Sequence, residues 1–242
     1  MRSLKLICIL TITAFLSIFA SSSALAAPSA NAVSMINYDN FSIHYTGTGS
    51  VQNDYFQAAA EMNGQILIVD SLDAYLETPT GYAWGETIVN DPDMTDYQDI
   101  YADAYTDSPS AYEYGYADAG YYGQYTAQTA GTLTISIDYS IFIDTQADMG
   151  QFSFAEAAVL LYIDGLESYD FEAFTAYDGM NYSNETSGWA TMFLSLDLDA
   201  EQTVDFAAIA ITQAEASPVP VPGSVLILGA GLMATFGIRR KS

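Results

Sequence analysis

Closely spaced carboxylates are the first feature of the sequence that could bind a ligand. One segment carries Asp91, Asp93, Asp96, Asp99, Asp103 and Asp107. Calcium takes about six to eight oxygen ligands, and neighbouring carboxylates in a loop would supply several of them. The spacing departs from an EF-hand, because neither the sixth-position Gly nor the twelfth-position Glu is present. Two interpretations therefore stand: a solvated acidic loop, or a calcium site formed by Asp91, Asp93, Asp96 and Asp99.

A second feature is a concentration of tyrosines, since nine of the 19 lie between Tyr97 and Tyr125. Three of them, Tyr112, Tyr114 and Tyr116, alternate with Glu113, Gly115 and Ala117 and therefore share one face of a strand. Flat aromatic faces with hydroxyl rims are suited to stacking on sugar rings, which predicts a carbohydrate site. Packing in the core, with the hydroxyls reaching its edge, explains the same pattern and is the preferred interpretation.

Catalytic chemistry has little support in the sequence. His44 is the only histidine, and its alternation with Phe41, Ile43 and Tyr45 places it on the polar face of a strand. No lysine or arginine occurs between Leu6 and Ile238 to stabilise an oxyanion or to hold phosphate. We predict that the chain is not an enzyme and has no cofactor except calcium. A glycoside hydrolase is the remaining alternative, and it would need two opposed carboxylates.

The amino-acid composition excludes some classes of binding partner. The chain has 242 residues, 30 acids and only 5 basic residues, which gives a net charge of -25. The basic residues lie at the two ends, so the middle of the chain is a polyanion. Nucleic-acid binding is excluded, because it depends on lysine and arginine neutralising phosphates. Half of the residues are hydrophobic, which is enough for a folded core. Exopolysaccharide and divalent cations remain as partners.

Alternation of apolar and polar residues predicts strands over most of the body. The clearest runs from Leu133 to Ile143. Short helices are alternatives for residues 52–62 and 96–105. The fold class is all-β, a single antiparallel β-sandwich of jelly-roll-like topology over residues 37–212. Residues 27–36 are predicted to be a flexible lead-in, and residues 213–222 a proline-rich linker that includes a sorting motif.

The two ends have the patterns of export signals. Residues 1–26 combine basic Arg2 and Lys5, an apolar run, and the cleavage pattern Ala24-Leu25-Ala26, and thus predict a helical signal peptide. An uncleaved anchor helix is the alternative. At the other end, residues 223–238 predict a transmembrane helix, followed by a basic cytoplasmic tail at 239–242. The only cysteine, Cys8, leaves with the signal peptide, so the mature chain has no disulfide.

The C-terminal segment resembles the PEP-CTERM sorting signal of Gram-negative bacteria. The residues that carry the resemblance are Val219, Pro220, Pro222, Gly223, Ser224, Arg239, Arg240 and Lys241. Val221 stands where the family signature has Glu. An ordinary C-terminal anchor helix is the alternative. The resemblance implies an exosortase-type membrane protease as partner, inner-membrane attachment through the C-terminal helix before processing, and a later location at the cell surface or in the extracellular matrix.

A looser similarity extends to the body. The Gly131–Ser140 segment, the strand from Phe152 to Asp164 and the small-residue strand near the end look like the body of PEP-CTERM proteins of unknown function. This similarity implies a sandwich and adds no active site. Together with the sorting signal, it leads us to expect a structural or binding role in the envelope or exopolysaccharide.

Overall fold

The computed structural model describes residues 27–70, 72–87, 99–185 and 189–218, and these form thirteen strands. The first seven are β1 Ser29–Tyr45, β2 Gly49–Met62, β3 Gln65–Val69, β4 Leu72–Thr78, β5 Gly81–Thr87, β6 Asp99–Asp107 and β7 Glu113–Ala127. The others are β8 Gly131–Ala147, β9 Gln151–Ile163, β10 Leu166–Tyr177, β11 Met180–Glu185, β12 Ala190–Leu198 and β13 Thr203–Pro218. No helix in these ranges is long and apolar enough to span a membrane.

The strands form two antiparallel sheets packed face to face. Sheet A has the order β11-β8-β1-β6-β5-β4, and β12 pairs with β8 beside β11. Sheet B has the order β10-β9-β13-β7-β2-β3. Strand β1 packs on β13 and β8 packs on β9, so the centres of the two sheets face each other. The predicted all-β class with two antiparallel sheets is confirmed.

Small side chains fill much of the space between the sheets. The inward positions of the central strands include Ala30, Ala32, Ala58, Ala60, Ala102, Ala104, Ala117, Ala119, Ala208 and Ala210, all buried. Larger side chains are also buried in the core, such as Leu133 and Ile135 on β8 and Phe206 on β13. Alanine adds little thickness to the core, so the two backbones approach closely at its centre.

The sandwich extends beyond both predicted boundaries. Strand β1 begins at Ser29 and pairs with both β6 and β8, so the prediction of a flexible lead-in at residues 27–36 is wrong. Strand β13 continues to Pro218, so residues 213–218 belong to the sheet instead of a linker. In both segments, small residues such as Ala30, Ala32 and Ala214 are buried in the core. Small residues are also typical of connecting segments, so the composition alone predicted a lead-in and a linker.

Both helical alternatives are also wrong. Residues 52–62 lie in β2, where Ala58, Ala60 and Met62 alternate inward, and residues 99–105 lie in β6. In β6 the four-residue spacing of Tyr101 and Tyr105 places both rings on the outer face of a strand, because four is also a multiple of the two-residue strand period.

Candidate functional site

The outer face of sheet B carries an unusual number of aromatic and aliphatic side chains. Tyr55, Ile66, Ile68, Tyr169, Phe171 and Tyr177 are all exposed there. Ile66 and Ile68 lie on the edge strand β3, and the three β10 aromatics lie on the opposite edge of the sheet. Exposed apolar side chains are typical of an interaction face in a soluble protein, so this face is a candidate for binding.

The three tyrosines predicted from the sequence lie at one end of this face. Tyr114 and Tyr116 project outward from β7, while Glu113, Gly115 and Ala117 point into the sandwich. Tyr112 directly precedes β7 and is 56% exposed. The preferred interpretation of core packing is therefore wrong: the small residues of the alternation face the core at this end of β7, where a Cβ on Gly115 would already lie 3.0 Å from the Met62 sulfur and 3.3 Å from the Tyr82 carbonyl oxygen.

Carboxylates surround these three tyrosines. Burial and the adjacent Glu215 raise the pKa of Tyr112 to about 12. Burial, together with nearby Glu61 and Glu215, raises the pKa of Tyr114. The hydroxyls therefore stay protonated at neutral pH, and each ring lies beside a negative charge. An anionic ligand would be repelled here, whereas a neutral hydroxyl-rich one would be accepted.

A flatter aromatic surface lies further along β7. Tyr55 and Tyr122 are cross-strand neighbours whose rings stack, with centroids 5.2 Å apart and planes 13° apart. Gly120 also faces outward, and a Cβ there would lie 2.8 Å from the Tyr122 ring. The Tyr122 ring therefore covers Gly120, which has no side chain. We call the adjoining surface the Tyr122 groove; its volume is about 510 Å³, and Leu160, Tyr162, Ala207 and Ile209 also line it.

A row of polar side chains closes one end of the Tyr122 groove. The Asn53 amide donates a hydrogen bond to Gln124 Oε1 at 2.8 Å, and the Gln124 amide donates to Asp205 Oδ1 at 2.9 Å. The three side chains come from β2, β7 and β13. Their fixed amide and carboxylate oxygens beside an aromatic floor are the groups that accept hydrogen bonds from sugar hydroxyls.

A β-bulge in β2 sets this geometry. The pairing with β7 shifts register between Gln52 and Tyr55, and Asn53 adopts a positive φ of 52°. Asn is one of the few residues that tolerate this conformation. Asp54 accepts a hydrogen bond from the buried Tyr121 hydroxyl at 2.9 Å. The bulge thereby directs Asn53 and Tyr55 toward the groove, as bulges next to functional sites commonly do.

Sequence reasoning did not identify the Tyr122 groove. Its residues come from β2, β7, β9 and β13, and only strand order brings them together. One local signal exists: Gly120 stands two residues before Tyr122 in a strand, a spacing that lets a ring cover a glycine. The Asn53 bulge had no clear signal, because the surrounding segment was open to a helical interpretation.

Of the four predicted calcium ligands, the structure describes only Asp99. Asp91, Asp93 and Asp96 lie outside the described residues. Asp99 begins β6 and is half-buried; burial and the nearby Asp39 carboxylate raise its pKa. The described residues contain no group of three or more His, Cys, Asp or Glu side chains placed to hold a metal. The calcium site at residues 91–99 stays a prediction.

The predicted terminal signals also lie outside the described residues. These are the signal peptide with Ala24 and Ala26, the sorting residues Val219, Pro220, Pro222, Gly223 and Ser224, the transmembrane helix, and the basic residues Arg239, Arg240 and Lys241. Pro218, the last residue of β13, is described, so the sheet leads directly into the predicted sorting segment.

Comparison with known proteins identifies the C-terminal segment. A family model described as the PEP-CTERM protein-sorting motif matches residues 218–241, so the chain carries this motif and with it a signal for export and membrane-associated sorting. No curated protein matches the chain. Among solved structures, a GH31 alpha-xylosidase from Xanthomonas citri aligns at 11% identity and a TM-score of 0.23, over 75% of this chain and 18% of that one. A likeness at this TM-score supports no functional argument.

Proposed function

We propose that this chain with a PEP-CTERM motif is an exported, non-catalytic binding protein that presents a saccharide-binding face at the cell surface or in the exopolysaccharide matrix. The signal peptide directs export, and the C-terminal helix holds the chain in the inner membrane until an exosortase-type protease processes it. The motif match at residues 218–241 supports this route. The body then acts outside the inner membrane, where polysaccharide is the abundant partner.

The observation that carries the binding role is the stacked Tyr55 and Tyr122 pair beside the polar row of the Tyr122 groove. A pyranose ring has an apolar face and an equatorial rim of hydroxyls. The tyrosine rings contact the apolar face, and oxygens of Asn53 and Asp205 accept hydrogen bonds from the rim. The groove is open, so a residue within a long chain can lie in it.

The electrostatics of the face favour a neutral polysaccharide. Residues 27–218 contain no lysine or arginine, and Asp205 forms part of the polar row of the groove. A uronic-acid polymer would meet like charge and would bind only through bridging divalent ions. We therefore assign the groove to neutral hexose polymers.

Binding to neutral polysaccharides by the purified full chain tests this proposal. The double variant Tyr55→Ala and Tyr122→Ala is expected to weaken binding by about tenfold or more, equivalent to ~1.4 kcal/mol. Tyr75→Ala is the matched control, because Tyr75 is similarly exposed but projects from sheet A. Equal loss in both variants, or binding that persists in the double variant, would contradict the assignment.

Three further measurements test the alternatives. Loss of binding in Tyr112→Ala, Tyr114→Ala and Tyr116→Ala, with the double variant unaffected, would move the site to the other end of β7. Release of reducing sugar ends from a bound polysaccharide would indicate a glycoside hydrolase and would overturn the non-catalytic assignment. Retention of the full-length chain in the cytosol would contradict the export route.

A further inference from the structure

The first and last described strands place both of their outer termini at the same end of the sandwich. Strand β13 ends at Pro218, which pairs with Gln151, the first residue of β9. Strand β1 begins at Ser29, and the Ser108 backbone N–H donates a hydrogen bond to the Pro28 carbonyl oxygen at 3.3 Å. We call this the Pro218 end; its turns are residues 63–64, 79–80, 108–112, 148–150 and 178–179.

The sorting segment follows the sheet at this end without a linker. The PEP-CTERM motif match begins at residue 218, inside β13. Residues 219–224 alone separate the sheet from the uncharged apolar run of residues 225–238. An extended chain spans at most about 3.3–3.6 Å per residue, so the sheet stands no more than about 20 Å from the start of that run. A membrane that holds the apolar run therefore lies next to the Pro218 end.

Large apolar side chains are exposed around the turns of the Pro218 end. Met149, in the β8–β9 turn, is 79% exposed, and Tyr112, which precedes β7, is 56% exposed. Tyr177 and Met180 flank the β10–β11 turn and are also exposed. Tyrosine is enriched at membrane–water interfaces, because its ring is apolar and its hydroxyl reaches water. These side chains therefore suit contact with a lipid headgroup region.

The opposite end of the sandwich is polar and acidic. Its described turns are residues 46–48, 128–130, 164–165 and 199–202. Asp164, Asp199 and Glu201 are exposed in these turns. Leu166, beside one of them, is a partly exposed apolar side chain at 41%. Exposed apolar side chains at one end and exposed carboxylates at the other give the sandwich a preferred orientation at a lipid surface.

We propose that the Pro218 end docks on the lipid surface of the membrane that holds the chain before processing, with its four exposed apolar side chains in the headgroup region. The docking rests on the membrane attachment of the proposed function. Asp107, Asp148 and Asp178 also lie at this end, so an anionic lipid surface is repelled. The partner is therefore a surface of zwitterionic phospholipid.

Docking in this orientation holds the Tyr122 groove away from the lipid. Asp205, in the polar row of the groove, lies 13 residues before Pro218 along β13. At the rise of a strand this separation is about 40 Å. The polar row is thus open to polysaccharide, while residues 219–224 lie at the lipid surface, where a membrane-embedded protease reaches them.

Lipid-contact quenching in phosphatidylcholine vesicles tests the docking with the full chain. In a Cys8→Ser background, a bimane fluorophore is attached either at Ser110→Cys in the Pro218 end or at Ala130→Cys in the opposite end, both exposed. Lipids with a nitroxide in the headgroup region quench only fluorophores that contact them. We expect quenching to be about fivefold or more stronger at Ser110→Cys, because the 16 residues of β13 separate the two ends by about 50 Å.

A longer tether separates docking from simple attachment. About 20 glycine and serine residues inserted after Pro218 would let the sheet move away by roughly 25 Å. Docking predicts that quenching at Ser110→Cys persists with this insertion, because the apolar side chains hold the end on the lipid. With the insertion present, Met149→Ser with Met180→Ser should reduce the quenching several-fold. Phe193→Ser is the matched control and should retain it, since Phe193 is 66% exposed but lies on the face of sheet A.

Four outcomes would count against the docking. Quenching that disappears with the insertion alone would show a tether and no docking. Equal loss in Phe193→Ser and in the double methionine variant would exclude the Pro218 end as the contact. Stronger quenching in vesicles that contain phosphatidylglycerol would overturn the zwitterionic partner. A chain that does not sediment with the vesicles would overturn the membrane attachment of the proposed function, whereas sedimentation without quenching overturns the docking alone.

Discussion

Gly85 shows how closely the two sheets approach each other. It points inward from β5, and a Cβ at this position would overlap the carbonyl oxygen of Asp118 and lie 2.8 Å from that of Ala59. Both contacts are with the backbone of sheet B, which cannot move aside without disturbing its ladder. Glycine is needed here for space, since its φ is not in the left-handed region.

We therefore expect Gly85→Ala to destabilise the fold by about 1–3 kcal/mol, the usual cost of overpacking a core. Gly115→Ala is the milder control: its Cβ would lie 3.0 Å from the Met62 sulfur and 3.3 Å from the Tyr82 carbonyl oxygen, both longer than the closest contact at Gly85. Urea unfolding of the two variants measures the difference. A Gly85→Ala midpoint equal to that of Gly115→Ala would contradict the close approach.

At the scale of single residues, the sequence predicted which residues share a face but not which face is inside. Tyr114 and Tyr116 alternate with Gly115 and Ala117, and either set could pack in a core. Which of the two sets is buried depends on the spacing between the sheets. Alanines on several other strands determine that spacing. His44, by contrast, is exposed as its alternation predicted, because its neighbours Ile43 and Tyr45 are clearly the apolar set.

Among the strands, β10 is inverted: its apolar side chains face outward and its acidic ones face inward. Aromatic side chains such as Tyr169 and Phe171 point outward, while Asp170 and Glu172 lie on the opposite side of this edge strand. The two carboxylates accept hydrogen bonds from the hydroxyls of Tyr139 and Tyr182, at 2.6 and 2.7 Å. Acids on the inner side of an edge strand discourage pairing with another chain, a function that an apolar periodicity search does not detect.

The opposite edge of sheet B lacks this protection. Strand β3 is the last strand of its sheet, and Ile66 and Ile68 are 66% and 60% exposed. An edge strand with exposed β-branched residues is a template for association. We expect Ile66→Lys with Ile68→Lys to reduce self-association in light scattering while changing the free energy of unfolding by less than about 0.5 kcal/mol.

The matched control for this edge is Phe193→Lys, since Phe193 is equally exposed but lies on β12 of sheet A. If the control reduces self-association as much as the β3 variant does, added charge alone is responsible. If neither variant changes it, β3 is not the contact strand.

For the whole molecule, the dominant physical fact is unbalanced negative charge. The net charge of -25 raises the free energy of the compact state by self-repulsion. Salt screens exposed charges at a Debye length of about 8 Å near physiological ionic strength. We expect sodium chloride to raise the melting temperature of the chelator-treated chain, as calorimetry would measure. A midpoint that is constant from low to high salt would contradict this account.

Titration of buried groups predicts how stability varies with pH. Burial raises the pKa of Glu86 and of Asp118, whose ordinary values are 4.5 and 3.8. A group whose pKa is higher in the folded state contributes stability that is present below its unfolded pKa and is lost as the pH rises through the folded value. Stability should therefore be greater near pH 4 than near pH 7, and self-repulsion acts in the same direction.

Tyrosines extend this decline into the alkaline range. Burial is the main cause that raises the pKa of Tyr122 and of Tyr139 to about 12, from an ordinary value of 10.0. By the same sign argument, their contribution is intact below pH 10 and is lost as the pH rises toward 12 and beyond. We expect the free energy of unfolding to fall as the pH rises above 10, as urea unfolding would measure. Tyr122→Phe should keep more of its stability there than the parent chain, and an equal decline in both chains would contradict the raised pKa of Tyr122.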